Sequence, residues 1–126
     1  MNAATQYLLL FYRSEDDWDA MSEEEHKTIV GEYLALHEEL REKGIWVTGA
    51  PLQSITTATT VRVRDDEVVM TDGPFAETKE QLGGFFLIEA ESADEAVAWA
   101  AKVPAARYGS IEVRSVVPVR AEVTAG

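Results

Sequence analysis

Two short runs of large apolar side chains constrain the fold more than any other feature of the chain. They cover residues 6–12 and residues 85–90, and each is too short to form a buried helix of its own. Each run is therefore predicted to be a strand. Side chains alternate between the two faces of a strand, so these runs place apolar groups on both faces of one sheet. Both faces of that sheet then need a cover.

Two amphipathic helices supply a cover for one face. Ser22 and Glu25 form a capping box that begins a helix, and Gly44 ends it. A second capping pattern begins a helix at Ser92, and Pro104 ends it. Apolar residues follow at helical spacing in both segments, so each helix is predicted to pack one face against the sheet.

The remaining strand patterns complete the order of elements. Residues 45–49 and 110–120 are predicted strands, and residues 59–64 and 67–71 alternate with period two and predict a hairpin. The order is β-α-β, a hairpin, then β-α-β. This order predicts an α+β fold of the ferredoxin-like type, with an antiparallel sheet and two helices on one face. We expect a single domain over residues 1–126, with residues 121–126 as a frayed tail.

The second face of this sheet has no helix left to cover it. A large apolar patch left in water is avoided by soluble monomers, so we expect the sheet to pack against the sheet of an identical chain. The alternative is that residues 51–58 fold over the open face.

Charge and composition exclude several classes of function. The formal net charge is −12, and the 11 basic residues are scattered among 23 acidic ones, so neither nucleic acid nor an anionic membrane is an expected partner. The chain has no cysteine, which excludes disulfides, thiolate metal sites and a cysteine nucleophile. No early apolar run is long enough to span a bilayer, and a cytoplasmic location is expected.

No cofactor or metal ion is predicted. No glycine-rich nucleotide-binding loop follows a strand. His26 and His37 are separated by eleven positions on one helix, which is about 16 Å along its axis and too far for one ion to bridge.

Two residues are candidates for acid–base chemistry. Asp72 ends a predicted strand just before a Gly-Pro turn, where its carboxylate is suited to act as a general base at the mouth of a cleft or to cap the turn. His37 lies on the apolar face of the first helix, where it is suited to proton transfer or to ordinary core packing. Together they predict proton transfer on a small polar metabolite.

The residues around the Asp72 turn are candidate ligand contacts. Residues 76–82 are expected to form a helical turn before a pair of glycines. Arg62 on the hairpin is suited to an anionic ligand or to a salt bridge with a nearby acid. The expected ligand-binding residues are Gly73, Pro74, Phe75, Lys79 and Arg62.

Residues 71–90, which read TDGPFAETKEQLGGFFLIEA, resemble the signature of the DGPF branch of the YCII-related family. The resemblance extends to residues 7–10, 57–62, 94–96 and 109–114, and so includes nearly the whole chain. It implies a dimeric α+β barrel.

The resemblance also implies two kinds of function. One is a small enzyme with a histidine–aspartate pair in a cleft, which here would be the cleft near Asp72. Tyr33 occupies the helix position that matches the family's histidine, one turn before His37, so Tyr33 joins the catalytic candidates. The other is a non-catalytic binding or regulatory module accessory to a sigma factor, because DGPF members are often encoded beside sigma factors.

Overall fold

The structure of the protein is a computed structural model that describes residues 5–118. Its elements follow the predicted α+β order. The strands are β1 (Thr5–Arg13), β2 (Trp46–Pro51), β3 (Thr59–Arg64), β4 (Glu67–Asp72), β5 (Gln81–Ala90) and β6 (Ser110–Ser115), and the helices are α1 (Glu15–Ala20), α2 (Glu23–Glu42) and α3 (Ala93–Ala100).

Four of the strands form one antiparallel sheet in the order β2-β5-β1-β6. This is the ferredoxin-like arrangement, and the predicted fold class is confirmed. β1 is a central strand, in which Leu9 pairs with Phe86 on one side and with Val113 on the other. β3 and β4 form a separate two-stranded sheet, so the hairpin is an insertion between β2 and β5.

The helices cover one face of the four-stranded sheet. Leu9 and Ile88 on the strands, Leu40 on α2 and Ala96 on α3 are fully shielded from solvent and belong to one hydrophobic cluster. Along β1 and β5 the burial alternates between buried and half-buried residues, as predicted for strands that are apolar on both faces. The half-buried set on the uncovered face includes Leu8, Leu10, Phe85 and Leu87.

Both predicted helix starts are correct. Ser22 and Glu25 form a full capping box, with the Ser22 hydroxyl accepting from the Glu25 amide at 3.1 Å and the Glu25 carboxylate accepting from the Ser22 amide at 3.0 Å. The Ser92 hydroxyl accepts from the Glu95 amide at 3.1 Å, while the Glu95 carboxylate accepts from the Glu91 amide instead. No helix among residues 5–118 is long and apolar enough to cross a membrane.

The helical turn predicted for residues 76–82 is wrong. The Gln81 side-chain amide donates to the Thr78 carbonyl at 2.6 Å, and β5 already begins at Gln81. The predicted strand began after the glycine pair, at residue 85, but Gly84 lies inside β5. A Cβ at Gly84 would lie 3.0 Å from the Ala50 carbonyl oxygen, so glycine lets β2 and β5 approach closely here.

The structure also differs from the sequence prediction before α2 and at the end of β6. The connection before α2 contains the helix α1, which begins because the Ser14 hydroxyl accepts from the Asp17 amide at 3.2 Å. β6 ends at Ser115 rather than at residue 120. Residues 119–120 and the predicted frayed tail at residues 121–126 lie outside the described residues.

Candidate functional site

An open pocket of about 360 Å³ lies between α2 and the helix-covered face of the sheet. Four residues of α2 line it, namely Val30, Tyr33, Leu34 and His37. They are spaced by three and four positions, so they form one stripe along the helix. Val30 and Leu34 are exposed apolar side chains at this stripe, because the pocket is open to solvent along that edge.

A continuous series of aromatic rings forms the inner wall. The His37 ring lies 4.4 Å from Trp46, and Trp46 lies 4.9 Å from Phe86, measured between ring centroids. Phe86 lies 4.8 Å from Phe11, and Phe11 lies 5.6 Å from Tyr33. Most of these pairs are edge-to-face, the geometry that aromatic rings favour, so the wall is fixed by its own packing.

Gly49 of β2 allows the wall to pack this closely. A Cβ at this position would lie 2.7 Å from Cη2 of Trp46 and 2.8 Å from Cδ1 of Phe86. Any larger residue would displace one of the two rings. The pocket therefore depends on a glycine for the approach of its aromatic wall.

The short helix α1 adds Trp18 to the pocket lining. Glu15 at its start accepts from the Ser54 hydroxyl at 2.8 Å and from the Ile55 amide at 2.9 Å. The His26 ring stacks on Trp18 at 4.2 Å, and its Nε2 lies 2.6 Å from the Trp18 carbonyl oxygen. Trp18 is thus held in place from both ends of α1.

One cation lines this apolar pocket, at the end of β1. The Arg13 guanidinium lies 4.6 Å from the centre of the Trp18 ring, a cation–π contact. Arg13 is half-buried, and among residues 5–118 it makes no ion pair and no side-chain hydrogen bond. Burial raises the pKa values of Tyr33 and Tyr108, and the positive charge of Arg13 partly offsets this rise. The three groups are therefore neighbours.

Tyr33 remains a neutral phenol far into the alkaline range. Burial raises the pKa of Tyr33 well above its ordinary value of 10.0, and the nearby Tyr108 raises it further. Burial likewise raises the pKa of Tyr108. Tyr33 is therefore suited to donating a hydrogen bond and not to accepting a proton as a base.

The predicted catalytic residues are divided between two parts of the chain. His37 and Tyr33 both line the pocket, whereas Asp72 does not. Asp72 is exposed at the end of β4, opposite Thr59, and its carboxylate accepts no hydrogen bond from residues 5–118. The Asp72 carboxylate therefore does not cap the turn through a hydrogen bond to any of residues 5–118.

The predicted ligand contacts also lie away from the pocket. Gly73 has a φ of +99°, its amide donates to the Ala58 carbonyl at 2.8 Å, and its carbonyl accepts from the Thr60 hydroxyl at 2.8 Å. Phe75 is 81% exposed. None of the five predicted residues lines the pocket. Of the other three, Pro74 and Arg62 are half-buried and Lys79 is exposed.

Sequence reasoning missed the residues that give the pocket its character. The candidate residues predicted from the sequence included neither Trp46 nor Arg13 nor Trp18, all of which line the pocket. A signal for Trp18 exists, since it is a lone indole in the acidic hexapeptide EDDWDA, which has no apolar stripe of its own. Among residues 5–118, no group of three histidine, aspartate or glutamate side chains could hold a metal ion.

The fold and the pocket define a small α+β protein with a ferredoxin-like sheet and an aromatic, partly open cavity under its long helix. The chain belongs to the YCII-related family, because the model of the YCII-related domain matches residues 5–120. It is also 40% identical over 110 residues to an uncharacterised protein of Rhizobium meliloti (strain 1021), which covers 86% of this chain and 89% of that protein.

The state of Tyr33 predicts how stability depends on alkaline pH. The unfolded chain ionises this tyrosine near its ordinary pKa of 10.0, while the folded chain resists ionisation. The unfolded state then binds fewer protons than the folded state, so stability falls as pH rises above about 10. Urea unfolding at several pH values should show a shallower fall for Tyr33→Phe than for wild type. Equal slopes would contradict the buried, neutral state of this phenol.

Proposed function

We propose that the protein binds a small molecule in the pocket between α2 and the sheet, and that His37 performs acid–base chemistry on it. The observation that carries the proposal is the series of aromatic rings from His37 to Tyr33, which is open to solvent beside Val30 and Leu34. Concave, largely apolar sites with a few polar groups are the usual form of small-molecule sites, and about 360 Å³ is within their size range.

His37 is the polar group best placed to act on such a ligand. Its ring is held edge-on against Trp46, and neither ring nitrogen hydrogen-bonds to a residue among 5–118. A half-buried imidazole with free nitrogens on a pocket wall is suited to transfer a proton. Tyr33, four positions earlier, supplies a hydrogen-bond donor to the same pocket.

Asp72, on the β3–β4 hairpin, remains a candidate partner of His37 in the acid–base chemistry. Asp72 lies directly opposite Thr59 in the β3–β4 register, two residues from the Val61–Met70 pair, and so shares a face with them. Met70 is 70% exposed, and this face of the hairpin is uncovered in a single copy. A second copy that covers this face would take Asp72 out of solvent.

A non-catalytic binding or regulatory module is the second candidate function, including the association with a sigma factor that family resemblance implies. The same uncovered hairpin face favours it, because exposed apolar surfaces mark protein-binding sites. His37 borders an open cavity rather than a filled core, and this favours the small-molecule site.

A pocket-filling substitution tests the small-molecule site. A thermal-shift screen of a metabolite library should yield compounds that raise the melting temperature of wild type by mass action. In Val30→Trp the indole would occupy the open edge of the pocket, and the same compounds should lose their effect. Val97→Trp, at an exposed position on α3 outside the pocket, is the matched control and should keep the response. An unchanged response in Val30→Trp would place the ligand elsewhere.

The same compounds separate catalysis from simple binding. Each binder is incubated with the protein and followed by NMR for conversion. Conversion that disappears in His37→Gln while the thermal shift persists identifies an acid–base enzyme. A binder that stays intact with wild-type protein supports the binding-module alternative.

We also propose that two copies assemble through the open sheet face. In one copy Leu8, Leu10, Phe85 and Leu87 lie on a face that no helix among residues 5–118 covers. Residues 51–58, the alternative cover, are instead tied by hydrogen bonds to Glu15 of α1. Sheet-to-sheet packing of two copies would remove this apolar surface from water.

A charged substitution on the open face tests the dimer. Light scattering of wild type at micromolar concentration should give twice the chain mass of 13.9 kDa. Phe85→Lys should give monomer or insoluble protein, because an unpaired charge would be buried in the interface. Val97→Lys on α3, which places the same charge on the opposite layer, should remain dimeric. Monomeric wild type, or a dimer in Phe85→Lys, would contradict this assembly.

Cytoplasmic location and the absence of nucleic-acid and membrane partners complete the proposal. They are supported by a cysteine-free sequence and a formal net charge of −12.

A further inference from the structure

We propose that the pocket selects a small aromatic carboxylate, which places its ring among the aromatic walls and its carboxylate on Arg13. This inference rests on the proposed small-molecule site and deepens it by naming the class of ligand. It adds a residue, Arg13, whose role neither the acid–base proposal nor the predicted site residues include.

Arg13 has no ion-pair partner among residues 5–118, although the protein is acidic. The chain has 23 acidic and 11 basic residues, so an arginine normally finds a carboxylate nearby. Within residues 5–118, the ion pairs join Lys102 to Glu39 and Arg107 to Glu32, and neither involves Arg13. The nearest acid along the chain, Glu15, accepts from Ser54 and Ile55 instead. A half-buried guanidinium without a counterion is most easily satisfied by an anionic ligand.

The position of Arg13 is defined by its surroundings. The guanidinium stacks on Trp18, and Trp18 is itself fixed by His26. On the side of β5, a Cβ at Gly83 would lie 3.2 Å from Nε and 3.3 Å from Cζ of Arg13. The glycine leaves room for the guanidinium to lie against the strand. The planar guanidinium is thus fixed in position, and its N–H donors make no hydrogen bond to residues 5–118. This preorganisation lowers the free-energy cost of binding a carboxylate.

The lining of the pocket also indicates the form of the ligand. The other side chains that line the pocket are apolar or weakly polar. Walls of aromatic rings that pack edge to face favour a ligand with a flat aromatic ring. A single guanidinium fork matches one carboxylate, and the formal net charge of −12 on the chain disfavours a doubly charged phosphate.

A matched set of ligands tests the proposal by calorimetry. The probes are 2-naphthoate, its neutral analogue 2-naphthamide and the dianion 2-naphthyl phosphate. Wild type should bind the carboxylate at least about tenfold more tightly than the amide, as a charge-assisted hydrogen bond would give. It should also bind the carboxylate more tightly than the phosphate. Equal affinity for carboxylate and amide, or preference for the phosphate, would overturn the proposed class.

Substitutions then assign the preference to Arg13. Arg13→Gln should bind carboxylate and amide alike, while Arg41→Gln, the same change at an exposed position on α2, should keep the wild-type ratio. Gly83→Ala keeps the charge of Arg13 but crowds its guanidinium, so it should reduce the ratio of carboxylate affinity to amide affinity. This variant replaces Arg13→Gln in the test if Arg13→Gln fails to fold. A ratio that survives in both Arg13→Gln and Gly83→Ala would overturn the role of Arg13.

The pocket-filling variant separates this inference from the proposed function. One outcome is that Val30→Trp abolishes binding of both 2-naphthoate and 2-naphthamide, while wild type does not prefer 2-naphthoate. In that case the small-molecule site stands and the carboxylate class of ligand fails. If neither compound binds wild type, or both bind Val30→Trp as tightly as wild type, the inference fails together with this use of the pocket.

Discussion

The alternation of side chains along β1 and β5 is the constraint on which the rest of the structure depends. One set, which includes Leu9 and Ile88, is buried under α2 and α3 and forms the core. The other set, which includes Leu10 and Phe85, points to the opposite side, where no helix of the described part of the chain covers it. A register shift of one residue would exchange the two sets, so the same pattern that forms the core also creates a surface suited to a second copy.

The candidate site follows from an imperfect fit between α2 and the sheet. Where Leu36 and Leu40 contact the sheet, the interior is closely packed. Around His37, Trp46 and Phe86 the large rings pack edge to face and form one wall of an open space. That space is the pocket. Bulky aromatic packing and an open cavity are therefore two results of the same residues.

The sequence was sufficient to predict the elements that have strong periodic or capping signals. The long helix from Ser22, the hairpin around Asp65 and the ferredoxin-like order all agree with the structure. It was not sufficient for the pocket, because that site joins β1, α1, α2 and β2 through contacts between residues distant in the chain. His37 was identified because histidine is a conspicuous acid–base group. Arg13 was not, because its significance lies in the absence of an ion pair with any carboxylate among residues 5–118, which only the packed structure reveals.

The central claim is that the aromatic cavity beside His37 is where this protein binds its ligand. The three tryptophans provide a direct test, since Trp18 and Trp46 line the cavity, while Trp99 of α3 does not line it and lies 4.9 Å from the Lys102 ammonium. Their indole N–H resonances can be followed in a nitrogen-15 correlation spectrum during titration with 2-naphthoate. The account predicts concentration-dependent shifts of the Trp18 and Trp46 signals with Trp99 unchanged. Shifts confined to Trp99, or no shift in any of the three, would contradict it.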